Sequence, residues 1–270
     1  MRLVRCAGLA ALALGTVVAT AAPAFAAPPG NDTYAGRTVV GAVPFTQTLE
    51  TGEATTDSDD AQLNAQCGAP TTDASVWYEL TASAAGGMAV DISQSSYSAG
   101  AIVATGGPGN WTVVSCAPGA VGWSAAAGVT YTILVFDDQL DGGGNGGTLR
   151  LTIGEAPPPP TIDVTLDPVG QFHARSGSAT VSGTVTCTGV VDFAFLDIEL
   201  RQNVGRVSTV TGYGFADVTC DGVTHQWTAE IFPDNGKFAG GKAAEVTFAL
   251  ACGVVECGVD FEQRTVMLRG

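Results

Sequence analysis

The stretch SVWYEL, residues 75–80, decides how one β-strand of this protein faces its core. Successive side chains of a strand point to opposite faces, so the adjacent rings of Trp77 and Tyr78 cannot enter the same core. Tyr78 shares a face with two aliphatic residues, whereas a shift of one residue would bury Glu79. Because burying an unpaired carboxylate is costly, we expect Tyr78 in the core. Trp77 is then either exposed or covered by a loop.

Similar alternation recurs along the chain and predicts an all-β protein. Segments rich in Gly, Asn and Asp, such as residues 141–147 and 233–236, interrupt the apolar runs as turns do. Helical periodicity is weak, and only residues 57–67 are compatible with a short helical turn. Regularly spaced short strands without intervening helices indicate two antiparallel β-sandwiches.

Four consecutive prolines, residues 157–160, divide the chain. Such a run favours an extended polyproline II spacer. We therefore expect a first β-sandwich in residues 27–155, a proline-rich linker in 156–161 and a second sandwich in 162–270. Residues 1–26 have two arginines, an apolar run and a small-x-small end, which predicts a signal peptide and a secreted, extracellular protein.

The charge balance excludes two classes of partner. With 26 acidic and 11 basic residues the formal net charge is −15 at pH 7, which repels phosphate groups and argues against nucleic acid and anionic membrane surfaces. No segment after the predicted signal peptide is long and apolar enough to insert into a bilayer. The oligomeric state stays open.

The cysteines predict disulfides. Of seven cysteines one lies in the predicted signal peptide, and an even number in an exported chain favours disulfides over zinc, which needs closely spaced Cys or His pairs. We expect Cys67–Cys116, because these are the only two cysteines between the signal and the spacer. Three pairings are open in the second module, and we choose Cys187–Cys220 and Cys252–Cys257, the latter across a tight hairpin.

Several short motifs follow one another in the first module: NDTYA at 31–35, ATTD at 54–57, SVWYELTA at 75–82, AGVTYTI at 127–133 and GTL at 147–149. In this order they resemble the bacterial pre-peptidase C-terminal (PPC) domain. The resemblance implies a jelly-roll-like β-sandwich of the kind appended to secreted hydrolases.

The second module has the order Cys187, Trp227, Cys252 and a Cys-Asp-Gly turn at residues 220–222. These features resemble immunoglobulin-like sandwiches, and in particular uncharacterised small secreted bacterial Ig-like domains. The resemblance implies a fold and no activity.

Catalytic motifs are missing from the sequence. It contains no GxSxG elbow, no HExxH and no P-loop, and only His173 and His225 could act as bases near neutral pH. Carboxylate pairs for glycoside hydrolysis cannot be judged from spacing, because their separation is three-dimensional. We expect a protein that is not an enzyme.

Two candidate binding sites remain. Trp77, Trp111 and Trp123 could stack on a sugar or peptide if exposed, although packing is the more frequent fate of a tryptophan. Asp137, Asp138 and Asp141 precede a glycine-rich turn and could supply oxygen ligands to calcium, the one cofactor that the sequence suggests. A solvated acidic turn is the favoured interpretation of that cluster.

We therefore expect a secreted non-catalytic binding or adhesion module for an extracellular polysaccharide or protein. One alternative is a hydrolase, or a hydrolase accessory protein, with unrecognised carboxylate chemistry. The other alternative is a structural component of the envelope or matrix.

Overall fold

The computed structural model describes residues 27–205 and 208–270, so the predicted signal peptide lies outside the described residues. Nearly all regular structure is β-strand, which confirms the all-β class, with a sandwich before the prolines and a closed sheet after them. Strands before residue 156 pair only with one another, as do those after residue 160.

No helix in the described part of the chain is long and apolar enough to cross a membrane.

The first module is a sandwich of two sheets with one helix. A five-stranded sheet has the order β1-β3-β8-β5-β6, and a four-stranded sheet has the order β2-β9-β4-β7. Pairing is antiparallel except between β1 and β3. The elements are β1 Thr38–Val40, β2 Phe45–Glu50, α1 Ser58–Cys67, β3 Asp73–Thr81, β4 Gly86–Asp91, β5 Ala99–Gly107, β6 Asn110–Pro118, β7 Ala120–Ala125, β8 Thr130–Asp137 and β9 Thr148–Glu155.

Strand β3 has the orientation that its sequence predicts. Tyr78 lies between the two sheets with no exposed surface, opposite Ile133 of β8. Trp77 points to the other face of the same sheet. The carboxylate of Glu79 stays near the surface, where the Arg37 Nε donates to it at 2.7 Å. The register argument of residues 75–80 is confirmed.

Helix α1 is longer than the short turn expected for residues 57–67. Asp57 caps its first turn by accepting the backbone N–H of Asp59 at 2.7 Å, and the Asp60 carboxylate accepts the Asp57 N–H in return. This reciprocal pair satisfies amide groups that a helix start otherwise leaves without partners. The helix ends at Gly68, whose positive φ of 80° suits a glycine.

The second module is one sheet that closes on itself. Its order is β10-β12-β11-β17-β16-β13-β14-β15, and β15 also pairs with β12, which joins seven strands into a barrel. Pairing is antiparallel except between β11 and β17. The strands are β10 Thr161–Val164, β11 Val169–Phe172, β12 Ala179–Thr188, β13 Phe193–Val204, β14 Ser208–Asp217, β15 Thr224–Pro233, β16 Gly241–Cys252 and β17 Cys257–Arg269.

Alternation along these strands fills the interior of the barrel. Leu196, Ile198 and Leu200 of β13 point inward with no exposed surface. Close approach of β14 and β15 depends on glycine, because a Cβ on Gly214 would lie 2.6 Å from the carbonyl oxygen of Glu230. The closure leaves this sheet with one short edge strand, β10.

Three disulfides join the cysteines as the sequence predicts. Cys67–Cys116 connects the end of α1 to β6, with a Cα separation of 6.1 Å. Cys187–Cys220 and Cys252–Cys257 have Cα separations of 4.4 and 3.9 Å. All lie within the ~7 Å limit beyond which two cysteines cannot be bridged. Three disulfides fit an extracellular protein.

The two modules touch beside the proline run. The Ala156 N–H donates to the Gly87 carbonyl at 2.9 Å and so continues the β4–β9 pairing up to the prolines, and the β16–β17 hairpin of the second module places Val254 and Val255 against the outer face of β4 and β7. Gly122 of β7 lies beneath the tip, and a Cβ on it would overlap the Val254 carbonyl oxygen and lie 2.7 Å from Val255 Cγ2. The contact therefore depends on glycine at position 122.

Candidate functional site

The three tryptophans considered as binding residues are buried. Trp77 has no exposed surface, Trp111 is 8% exposed and Trp123 is 3% exposed. The expectation of a binding surface at these positions is wrong, because rings enclosed on both faces cannot stack on a ligand from solvent.

Trp77 and Trp111 belong to a second small core on the outer face of the five-stranded sheet. Their ring centroids are 5.9 Å apart in a stacked arrangement, and Tyr34 meets both rings edge-on at 5.6 and 5.0 Å. Leu63 of α1, itself without exposed surface, packs in the same cluster. Trp77 is therefore covered by a helix and by the N-terminal segment. The sequence predicted that it would be either exposed or covered by a loop. Trp123 packs in the main core beside Tyr131.

The acidic loop after β8 uses its oxygens within the protein. Asp137 accepts the N–H groups of Gln139 and Gly146 at 2.8 and 2.9 Å. Asp138 accepts the Leu140 N–H at 3.0 Å, and Asp141 accepts the N–H of Ser98 at 3.0 Å. The arrangement is a hydrogen-bonded acidic turn in place of a convergent calcium site. The favoured interpretation of a solvated turn holds for Asp141 but is wrong for Asp137 and Asp138, which are buried.

Within residues 27–205 and 208–270, no three His, Cys, Asp or Glu side chains form a group that could hold a metal ion.

Both histidines are engaged in local contacts. The His225 Nε2 lies 2.9 Å from the Asp221 carboxylate on an exposed turn, as a solvated strand histidine would. The pKa of Asp221 is lowered, chiefly by its hydrogen bond with His225. His173 Nε2 lies 2.8 Å from the Thr180 hydroxyl. Neither histidine also has its other ring nitrogen, Nδ1, held by a third group among the described residues, as the base of a catalytic triad does.

A broad aromatic face covers one side of the second module. On β13, β14, β15, β16 and β17 the inward residues fill the barrel, and several outward residues are also large and apolar. We call the following outward side chains the aromatic face: Phe193, Phe195, Tyr213, Phe215, Phe232, Phe248, Val259 and Phe261.

Strand register makes this face continuous. Phe261 of β17 lies directly across from Phe248 of β16, which lies across from Asp197 of β13, which lies across from Phe215 of β14. In the next row Tyr213 of β14 is opposite Phe232 of β15. Directly paired residues have Cβ atoms about 4.5–5.5 Å apart, so these side chains form one surface instead of scattered positions.

The exposed fractions are high for side chains of this size. Phe215 is 69% exposed, Phe232 62% and Phe261 59%. Phe193 is 53% exposed, and its ring stacks on that of Phe195 with centroids 6.3 Å apart. Single exposed apolar residues are common on soluble proteins, but a contiguous patch of this kind marks an interaction site.

Two carboxylates lie in the middle of the aromatic face. Asp197 has Phe215 and Phe248 as direct neighbours on its two sides, and Glu199 has Tyr213 on one side. The Arg201 Nε lies 3.5 Å from the Glu199 carboxylate, with both groups partly exposed. No ion pair in the described part of the chain involves Asp197.

Sequence reasoning missed this face because it used the alternation only to find the core. The stretch FAFLDIEL at residues 193–200 has apolar side chains on both faces, and residues 213 and 215 repeat this on β14. A strand on the outside of a barrel needs only one apolar face. Large apolar residues at both odd and even positions of a strand therefore indicate a second apolar surface.

Comparison with known proteins gives one family match. Residues 160–253 match a family of unknown function, DUF6299. The match covers about a third of the chain and lies in the second module. The resemblance of the first module to the PPC domain stays a prediction.

A search of the curated proteins finds no match.

Among solved structures, several glycosidases longer than this chain are similar to it over part of their length. A Parabacteroides merdae β-glucuronidase has a TM-score of 0.26 and 10% identity, over 74% of this chain and 28% of that one. A putative β-galactosidase from Bacteroides fragilis has 0.23 and 13%, over 81% and 40%. An Amycolatopsis orientalis exo-chitosanase has 0.19 and 10%, over 71% and 25%. This chain thus spans less than half of each, and with such TM-scores we base no conclusion on them.

Proposed function

We propose that this protein is a secreted, non-catalytic binding module that attaches to an extracellular macromolecule through the aromatic face of its second module. The observation that carries the proposal is the contiguous exposure of large aromatic side chains on neighbouring strands, led by Phe215 at 69%. Secretion is supported by the three disulfides and by the predicted signal peptide.

The site chemistry favours binding over catalysis. The carboxylates of the aromatic face lie on a convex sheet surface, whereas catalysis needs reacting groups in a cleft that excludes water. His173 lies between β11 and β12, and His225 lies at the start of β15, at the opposite end of that strand from Phe232. The first module supplies no further exposed aromatic surface, because its tryptophans belong to its cores.

Energetics support the same proposal. Exposed aromatic area contributes little to the stability of the free protein, but removal of that area from water on binding is favourable by about 25 cal/mol per Å² of apolar surface. Aromatic residues are enriched at the centres of interfaces for this reason. A face that offers several rings on rigid strands loses little conformational entropy when a partner covers it.

The test is retention on extracellular macromolecules. Purified protein would be co-sedimented with cellulose, chitin, peptidoglycan and collagen-coated beads, beside a variant with Phe215→Ser and Phe261→Ser. We expect retention on at least one of these surfaces and a loss of about tenfold or more in the variant, since each buried aromatic contributes over 1 kcal/mol at a binding centre.

The matched control is Leu140→Ser. Leu140 is 65% exposed, close to the 69% of Phe215, but lies in the loop after β8 of the first module. The Leu140→Ser variant should be retained like the wild type. Retention on none of the surfaces, or equal retention of the Phe215 and Phe261 variant, would contradict the proposal.

A further inference from the structure

We infer that the aromatic face takes a cationic protein segment, one that presents lysine or arginine between apolar side chains. The inference rests on the proposed function and adds the chemistry of the partner. It follows from the two carboxylates set among the rings and from the negative charge of the second module. It also follows from the phenylalanine rings, which have no hydrogen-bond donor or acceptor.

The two carboxylates favour a partner that carries positive charge. Asp197 lies between Phe248 and Phe215 in one row of the sheet, without an ion pair of its own in the described chain. A partner that covered these rings with apolar groups alone would remove the carboxylate from water without compensation, which is unfavourable. A lysine or arginine at that point would satisfy the carboxylate.

The same cation would also contact the rings. A cation within about 6 Å of an aromatic centroid is attracted by the ring face, and the attraction grows when water is excluded. Two phenylalanines flank Asp197 on the adjacent strands, so one incoming cation can reach a carboxylate and a ring together. Glu199 beside Tyr213 repeats the arrangement one row away, where Arg201 already approaches it at 3.5 Å.

The net negative charge of the second module also favours a cationic partner. Residues 161–270 contain thirteen acidic and seven basic residues, and the chain carries a net charge of −15. Complementary charge steers association and disfavours partners of like charge. A second copy of this chain would bring its own Asp197 and Glu199 against the same two groups, so self-association through this face is disfavoured.

A neutral polysaccharide fits less well. Six of the seven rings of the aromatic face are phenylalanine, which can neither donate nor accept a hydrogen bond to a sugar hydroxyl. A sugar ligand needs several polar partners that fix its orientation. Protein interfaces instead combine aromatic anchors with a few charged pairs.

The experiment uses two peptide probes of equal length immobilised on a sensor surface, Lys-Gly-Phe-Lys-Gly-Phe-Lys and Glu-Gly-Phe-Glu-Gly-Phe-Glu. The full chain should bind the lysine peptide at least about tenfold more tightly, and added salt should weaken that binding because exposed charge pairs are screened. A variant with Asp197→Asn and Glu199→Gln should lose most of the preference. Glu53→Gln, an exposed carboxylate in the loop between β2 and α1 of the first module, is the matched control and should keep it.

The outcomes separate the inference from the proposed function. Binding that is lost with Phe215→Ser but unchanged with Asp197→Asn and Glu199→Gln, or equal binding of both peptides, overturns the cationic partner and leaves the binding face in place. Retention on cellulose or chitin through Phe215 with no peptide binding does the same. A dimer in sedimentation that Phe215→Ser dissolves would identify a second copy as the occupant. Binding that no face variant changes overturns both proposals.

Discussion

Glu245 is a single buried acid inside the barrel of the second module. It has no exposed surface, and neither of its carboxylate oxygens has a hydrogen-bond partner among the described residues. It lies on β16 directly across from Leu200 of β13 and Arg264 of β17. Burial, and secondly the negative charge of Asp167, raises the pKa of Glu245 to about 8. At neutral pH the group therefore stays protonated in the folded protein.

The stability of the protein should consequently fall as pH rises from about 4.5 to about 8. In this window the unfolded chain has lost the Glu245 proton while the folded protein keeps it, so folding binds a proton and becomes less favourable at higher pH. The limiting slope is about 1.4 kcal/mol per pH unit. Glu245→Gln should remove the Glu245 part of this dependence and raise the free energy of unfolding at pH 8, measured by urea denaturation between pH 5 and 9. Asp60 of α1, whose pKa burial raises to about 7, keeps a part of the same sign below pH 7.

Glu262→Gln is the control for that series. Glu262 is an exposed acid of β17, the strand next to Glu245, so its change should leave the slope in place. Parallel pH profiles of the wild type and Glu245→Gln would show that Glu245 is ionised in the fold.

At the scale of the element, strand β3 is buried on both faces, and each face should contribute similarly to stability. Tyr78→Ala and Trp77→Ala should each lower the free energy of unfolding by about 3–5 kcal/mol, because both remove a large ring from a closed core. Thr81→Ala, at the exposed end of the same strand, should cost much less. Urea denaturation of the three variants measures this, and a Trp77→Ala loss near that of Thr81→Ala would mean that α1 does not cover the ring.

The strand register could be predicted from residues 75–80, but the cover over Trp77 could not. Alternation is a local property, so it places Tyr78 inward and Trp77 outward without knowing what packs outside. The cover comes from Leu63 and Tyr34, which are distant in sequence from Trp77. The apolar run of residues 133–136 is buried at every position, which is typical of a strand with two covered faces. This run on β8, the neighbour of β3, was the feature of the sequence that could have predicted a cover over Trp77.

The same limit applies to the candidate site. Disulfide pairing could be predicted because the Pro run separates the cysteines and hairpin geometry restricts the rest. The aromatic face could not be located from the tryptophans, since tryptophan is highly buried on average and all three of those in the first module lie in its cores. Its rings are phenylalanines and a tyrosine that become neighbours only through the register of β13, β14, β15, β16 and β17.

At the scale of the whole molecule, the two modules are held by the hairpin tip as well as by the linker. Gly87, Ala89 and Gly122 form a flat area on the outer face of β4 and β7, and the Val254–Val255 tip lies on it. The Cys252–Cys257 disulfide closes the base of that tip. A cleft of about 400 Å³ opens beside the contact, lined by the linker prolines and by Met88 and Val255. The tip therefore limits how far the modules can turn about the prolines.

Gly122→Ala should release this contact without unfolding either module. The added Cβ would overlap the Val254 carbonyl oxygen and approach Val255 Cγ2 to 2.7 Å, while its own strand β7 tolerates alanine as well as glycine. We expect a larger radius of gyration in small-angle scattering, because polyproline alone is a semi-rigid spacer that lets the modules separate. Gly86→Ala on β4, where a Cβ meets no atom within 4 Å, is the matched control and should leave the radius unchanged. If Gly122→Ala and Gly86→Ala scatter alike while urea denaturation shows both folded, the hairpin tip does not hold the modules together, and their relative position depends on the linker alone.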